Sequence, residues 1–190
     1  MRSDASQNRD RVLAAARAEF TAHGAAASLN KIAQRAGVGP GTLYRHFASA
    51  QTLLVAIIAE DVDTLVSTGR DLLRHPDPAE ALRLWLRAVA VHASTMRGLV
   101  ATELLSADTD SALAACHDKI HDTGTDLLAR TGNPARLDIT DLLTVVNAVA
   151  WAHERLPTDP ARLDRLLHIA TSALPGPAPR VVGVRDHGQR

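Results

Sequence analysis

Aromatic residues are nearly missing from this chain: they make up 3% of its 190 residues, whereas the hydrophobic share is 46% and dominated by alanine and leucine. Strands draw on Val, Ile, Tyr and Phe, so the shortage argues against sheet and the alanine–leucine excess argues for an all-α fold. Cysteine occurs once, as Cys116, which excludes an intramolecular disulfide. No apolar run approaches the roughly eighteen residues that a membrane helix needs. No apolar segment follows the first charges either, so a secretory signal is absent from the pattern and a cytoplasmic protein is expected.

Excess charge is lacking too, since 21 basic residues balance 21 acidic ones. The balance conceals a split. Residues 1–50 hold Arg2, Arg9, Arg11, Arg17, Lys31, Arg35 and Arg45 against Asp4, Asp10 and Glu19, an excess of four positive charges that the remainder offsets. A basic head on an acidic body suits a module that grips phosphates, because backbone contacts supply most non-specific affinity for nucleic acid.

Helical periodicity runs along most of the chain. Residues 1–8 are polar and read as frayed, after which Val12, Leu13, Ala16 and Phe20 form one apolar stripe that His23-Gly24 stops. Ser28 stands as N-cap of a two-turn helix over 29–36, closed by Gly37. Gly39-Pro40 opens a third helix to Phe47. Ser49 caps a long helix to about Leu73. Asp77-Pro78-Ala79-Glu80 starts a fifth helix, reaching about Thr95. Further helices are expected at 98–106, 109–131, Thr140–Arg155 and, after Asp159-Pro160, Ala161–Leu174, about nine in all. The proline-rich tail 175–190 reads as disordered. The expected division is a DNA-binding domain over 1–50, a helical domain over 51–174, and that tail.

The two short helices around Gly37 suit a helix-turn-helix whose second member enters a major groove about 12 Å wide. Leu43 and Phe47, four apart, anchor that helix, which leaves Pro40, Thr42, Tyr44, Arg45 and His46 turned outward. Their hydroxyls, imidazole and guanidinium are donors that read phosphate oxygens and base edges.

The stretch SLNKIAQRAGVGPGTLYRHFASAQTLL, from Ser28 to Leu54, closely resembles the N-terminal signature of the TetR family of bacterial transcription regulators, and the likeness reaches back to about residue 9. It implies a two-fold dimer whose recognition helices enter successive major grooves and whose last two long helices pack into an intersubunit four-helix bundle. Carried over by position, Ser28 meets a backbone phosphate, and Thr42, Tyr44 and His46 hold the helix to the duplex. Base reading falls to Gly39, Pro40, Gly41 and Arg45, of which only Arg45 can pair bidentately with guanine. The chain departs from the pattern at Ala50, where the family usually places a phosphate-gripping lysine. Lys31 and Arg9 are the candidates to compensate, with a solvated surface charge as the competing role for each.

Other motifs carry less. Gly37-Val38-Gly39-Pro40-Gly41 follows a helix, with spacing unlike a nucleotide loop. Ser28 and Lys31 match S-x-x-K, but the partner motifs of acyl enzymes are missing, and capping explains Ser28. His117 and His121, beside Cys116 and Asp122, share a helical face, yet no third metal ligand is fixed by spacing, so a surface or pocket-lining pair is the expectation. No catalytic constellation, cofactor motif or metal set emerges.

The expectation is therefore a repressor, released from a palindromic operator in double-stranded DNA by a small apolar or amphipathic ligand. The alternative is a small helical enzyme or ligand-binding protein with an incidental helix-turn-helix. Trp85, His92, Met96 and Trp151 are the candidates to line the ligand pocket, with core packing as the competing role for the tryptophans. A homodimer is expected through Leu142, Leu143, Val146, Val149 and Ala150 beside Leu163, Leu166, Leu167 and Ala170.

Overall fold

The structure is a computed structural model that describes residues 4–100, 110–132, 136–156, 159 and 161–172. Among these residues it is all helical: α1 (Asp4–His23), a 3-10 turn (Gly24–Ala26), α2 (Leu29–Ala36), α3 (Pro40–His46), α4 (Ala50–Leu72), α5 (Pro78–Val100), α6 (Asp110–Arg130), α7 (Ile139–Arg155) and α8 (Arg162–Ala170).

Local chemistry sets the boundaries. Ser28 Oγ accepts the Lys31 N–H at 3.4 Å and so satisfies a free donor of α2. Gly37 ends that helix with φ 66°, a left-handed conformation in which a side chain would be strained. Ser49 and Thr52 form a reciprocal capping box on α4. The Asp77 carboxylate accepts the Ala79 and Glu80 N–H groups at 2.9 and 3.0 Å, starting α5.

Four boundaries differ from the sequence expectation. α1 begins at Asp4, within the segment expected to fray, because Ala5 to Arg9 contain no helix breaker and need no apolar stripe to extend an existing helix. α5 continues to Val100, absorbing the start of the helix expected at 98–106. The cap of α7 is Asp138, whose carboxylate accepts the Thr140 N–H at 2.7 Å. α8 spans only Arg162–Ala170, with Thr171 as C-cap. The remainder of the 98–106 segment, residues 173–174 and the tail 175–190 lie outside the described residues.

Two apolar clusters organise the packing, and α4 runs through both. In the first, α1 to α3 gather Leu13, Phe20, Ile32 and Leu43 around Leu53, Leu54 and Ile57 of α4, with Val62, Val66 and Cys116 at its far end. The second joins Leu65 to Trp85, Leu86, Leu127, Val146 and Leu167. Helices α4 and α6 approach closely here. A Cβ on Gly69 would stand 2.2 Å from Thr123 Cγ2, and one on Gly124 would stand 2.9 Å from Trp85 Cζ3. Two glycines thus seat the indole.

Candidate nucleic-acid interface and ligand cavity

The α2–turn–α3 unit is held from below and open above. Ile32, Ala33 and Ala36 of α2 and Leu43 with Phe47 of the α3 region are buried, fixing both helices on α1 and α4. Glu19 of α1, itself buried, faces His23 Nδ1 at 3.2 Å and Arg35 Nη1 of α2 at 3.9 Å. Lys31, Gly39, Pro40, Gly41, Tyr44, Arg45 and His46 are all exposed, and Ser28 and Thr42 are partly so. Tyr44, 45% exposed, shows its ring to solvent, an unusual placement for a large aromatic side chain. Space beside Gly41 is open, since a Cβ there would meet nothing within 4 Å.

Arg45 lies folded along its own helix, with Nε donating to the Gly41 carbonyl at 3.2 Å and Nη2 to Thr42 Oγ1 at 3.4 Å. Both bonds are solvent-exposed, so swinging the guanidinium outward exchanges them for water or base contacts at little cost. The remaining head charges divide by role. Arg17 faces inward and forks onto Asp61, with Nη1 to Oδ2 at 2.7 Å and Nη2 to Oδ1 at 2.6 Å, while Glu60 accepts at 3.0 Å. Periodicity gave no sign that Arg17 is engaged inside the molecule, because its partners lie more than forty residues away. Arg9 and Asn8 of α1 form one wall of a cleft of about 290 Å³ whose other wall holds Thr42 and His46. The sequence singled out Arg9 but could not show that it faces α3.

In the body, a cavity of about 500 Å³ opens between α4, α5, α6 and α7. Ile58, Val62, Val89, Ile120 and Leu143 supply apolar wall; His92, His117, His121, Thr140, Thr144 and Asn147 supply polar groups. Burial holds the His92 imidazole below its ordinary pKa, against the pull of the Asp61 carboxylate, and burial pushes the Cys116 thiol up. His117 and His121 are brought together with His92 on this cavity; no group of three metal-ligating side chains occurs among the described residues.

Of the four residues expected around a ligand, His92 is on the cavity wall. Trp85 is fully buried in the second cluster, where its N–H donates to the Leu65 carbonyl at 3.1 Å. Trp151 is 51% exposed on the outside of α7, with the Arg155 guanidinium 4.3 Å above its ring. Neither tryptophan lines the cavity, because each lies on a helix face turned elsewhere. Met96 sits in α5, but its side chain is outside the described residues. The expected dimer residues need a similar correction: Leu142, Val146, Ala150, Leu163 and Leu167 are buried within one subunit. Val145, Trp151 and Ile169 are the large apolar side chains that α7 and α8 turn outward.

A helical head with an outward-facing polar recognition helix, joined by one long helix to a cavity-bearing helical body, defines a DNA-binding transcription regulator. Residues 12–57 match the family described as bacterial regulatory proteins, tetR family, and residues 77–175 match the transcriptional regulator SbtR-like C-terminal domain. The chain belongs to the TetR family of transcriptional regulators. It is 40% identical over 68 residues to an HTH-type transcriptional regulator of Staphylococcus aureus, covering 35% of this chain and 37% of that protein. The chain thus spans little more than a third of the curated relatives it matches. A TetR regulator from Mycobacterium vanbaalenii is 31% identical, with 90% of this chain and 96% of that one covered and a TM-score of 0.69. The fold is also that of LfrR from Mycobacterium smegmatis, solved with proflavine, at 21% identity, coverage of 92% and 99%, and a TM-score of 0.67. Among the described residues no helix is long and apolar enough to cross a membrane.

Proposed function

We propose that the protein is a homodimeric repressor that holds a palindromic operator through α2 and α3 and is released by a small amphipathic molecule bound in the body cavity. Residues 1–50 act as the reading head and 51–174 as the sensing and dimerising body. The observation that carries the reading is α3 itself. Its inner side is anchored by Leu43 and Phe47, and its outer side presents Tyr44, Arg45 and His46 exposed, with Thr42 partly so at a cleft shared with α1. In this reading Ser28, Lys31, Thr42, Tyr44 and His46 bind phosphates, which positions the head without reading sequence. Gly39, Pro40 and Gly41 let the helix start approach the bases, and Arg45 reads guanine.

The cavity supports the ligand half of the reading. It falls in the size range of small-molecule sites and combines apolar walls with a few polar groups. LfrR, similar in fold, was solved with the cationic dye proflavine. The lining described here offers no carboxylate to such a cation, so a ligand of different charge is favoured. Dimerisation through the outer faces of α7 and α8 would cover Val145, Trp151 and Ile169 and set the spacing of two heads on one face of a duplex. A mobility-shift titration on duplex from the protein's own upstream region, with and without a metabolite panel, tests the reading. Absence of any sequence-selective shift would leave the alternative of a helical binding protein.

A further inference from the structure

Helix α3 does not stand alone at the reading face, because α1 runs beside it and the two enclose the cleft of about 290 Å³. The floor of this cleft is apolar: Val12 of α1, Val38 of the turn, and Leu43 with Phe47 of the α3 region. Its rim is polar, with Asn8 and Arg9 on the α1 side and Thr42 and His46 on the α3 side. All four rim side chains carry N–H or O–H donors, and none is acidic. Thr42 Oγ1 accepts from Arg45 Nη2 at 3.4 Å, so its own proton is left to donate. Asn8 Oδ1 likewise accepts from Arg11, which leaves the amide N–H groups of Asn8 as donors.

The surroundings of Arg9 leave its charge open to a partner from outside. The residue is exposed, and on its other side a second hollow, toward α4, carries Glu60 and Asp63. Both carboxylates hold other cations: Glu60 meets Arg17 Nη2 at 3.0 Å, and Asp63 meets Lys119 Nζ at 2.7 Å. No ion pair joins Arg9 to either of them among the described residues. Arg11, bonded to Asn8, lies at the α2–α3 turn, where a Cβ on Gly37 would stand 3.6 Å from its Nη1. Helix α1 thus sets one guanidinium beside the turn and a second on the rim of the cleft that faces α3.

A duplex backbone alternates charged phosphates with less polar deoxyriboses, and the cleft offers a donor-bearing rim above an apolar floor. A guanidinium fork also matches phosphate oxygens in pairs. We propose that the cleft seats one backbone phosphate with its sugar, that Arg9 is the side chain that neutralises this phosphate, and that α1 is therefore a third DNA-holding element beside α2 and α3. Thr42 and His46 donate to the same phosphate from the opposite wall. The contact carries no sequence information; it fixes the register of α3 on the duplex, so that Arg45 meets its base. This deepens the DNA half of the proposed function and rests on it.

The test uses the full-length protein and duplex from its own upstream region in which single phosphates are replaced, one at a time, by neutral methylphosphonates. Neutralising the engaged phosphate in each half-site should weaken wild-type binding. Arg9→Ala, its fold checked by circular dichroism, should lose sensitivity at that phosphate and keep it at the others. The same variant should weaken specific and scrambled duplexes alike by about twofold to fivefold for each head, the size of a solvent-accessible ion pair. The slope of log affinity against log salt should fall by about one for each head, and Arg9→Lys should restore it. Thr42→Val and His46→Gln should lose sensitivity at the same phosphate as Arg9→Ala. An Arg9→Ala profile identical to that of wild type, or a different phosphate for Thr42→Val and His46→Gln, would overturn the inference. Inorganic phosphate should displace no more duplex than chloride at matched ionic strength; selective displacement through Arg9 would make the cleft a free-anion site instead. A wild type with no preference for its own duplex over a scrambled one sinks the DNA reading itself, whereas a selective wild type with an unaltered Arg9→Ala profile sinks the role of the cleft alone.

Discussion

Trp85 of α5 donates its indole N–H to the carbonyl of Leu65 on α4 at 3.1 Å, and the ring lies against Gly69 one turn further along α4. This contact locks the body to the helix that also serves the head. Glycine inside a helix is ordinarily replaced by alanine with a gain of up to about 1 kcal/mol. At Gly69 the sign should reverse, because the new methyl would stand 2.2 Å from Thr123 Cγ2 and 3.0 Å from Trp85 Nε1. Gly69→Ala is expected to destabilise the fold by about 1–3 kcal/mol, as overpacked cores do. Urea unfolding followed by tryptophan fluorescence measures it; an unchanged or raised midpoint would contradict the packing described.

Two neighbouring residues of α3 should fail differently. Arg45→Ala is expected to relax preference at one base step by about 1–3 kcal/mol while leaving binding to scrambled duplex nearly intact. Tyr44→Phe should weaken all duplexes alike, because a phenol on phosphate carries no sequence information. Competition binding with single-base operator variants distinguishes the two, and a base-selective loss in Tyr44→Phe would reverse the assignment.

Assembly can be separated from folding by choosing the right side of α7 and α8. Ile169→Asp, at a position 67% exposed, should give folded monomers that no longer bind the operator tightly. Val146→Asp, at a fully buried position, should instead unfold the subunit. Light scattering with circular dichroism reads both outcomes, and an Ile169→Asp dimer of wild-type affinity would place the interface elsewhere.

His92 should leave a mark on the acid limb of stability. Its folded pKa lies below that of the unfolded chain through burial, so the unfolded state binds the proton first. Stability associated with this group is present above about pH 6.5 and declines as pH falls through that value. Besides burial, the charges that act on it are Asp61, which raises its pKa, and Arg17 and His117, which lower it. His92→Gln should lose less stability than wild type between about pH 7.5 and 5.5. Parallel urea midpoints for the two proteins across this range would show that His92 is not held neutral.

The head was more legible in the sequence than the body, for a physical reason. Caps and stops are local: Ser28, Gly37 and Ser49 each act on a backbone group within three or four residues, so helix 29–36 and the start of the third helix at Pro40 could be placed from spacing alone, while its end, expected at Phe47, falls at His46 with Phe47 as the cap. The inward and outward faces of α3 followed from Leu43 and Phe47 in the same way. In the body apolar residues occur on buried and on exposed helix faces alike, and those in α7 and α8 look the same whether they pack on α5 or turn outward. Val146 and Leu167 were therefore misplaced at an interface, and Trp85 and Trp151 could not be assigned between core, cavity and surface. The Arg17–Asp61 fork, joining residues forty-four apart, had no local signal.

The central claim is that this chain reads DNA through α3 as a dimer. Titrating the full-length protein against a labelled duplex from its own upstream region, with a scrambled duplex as competitor, tests it most directly. The account predicts a shifted complex containing two protein chains per site, with affinity that falls steeply as salt rises and a preference for the specific duplex of at least about a thousandfold. Equal affinity for specific and scrambled duplexes, or a complex unaffected by Arg45→Ala, would contradict it.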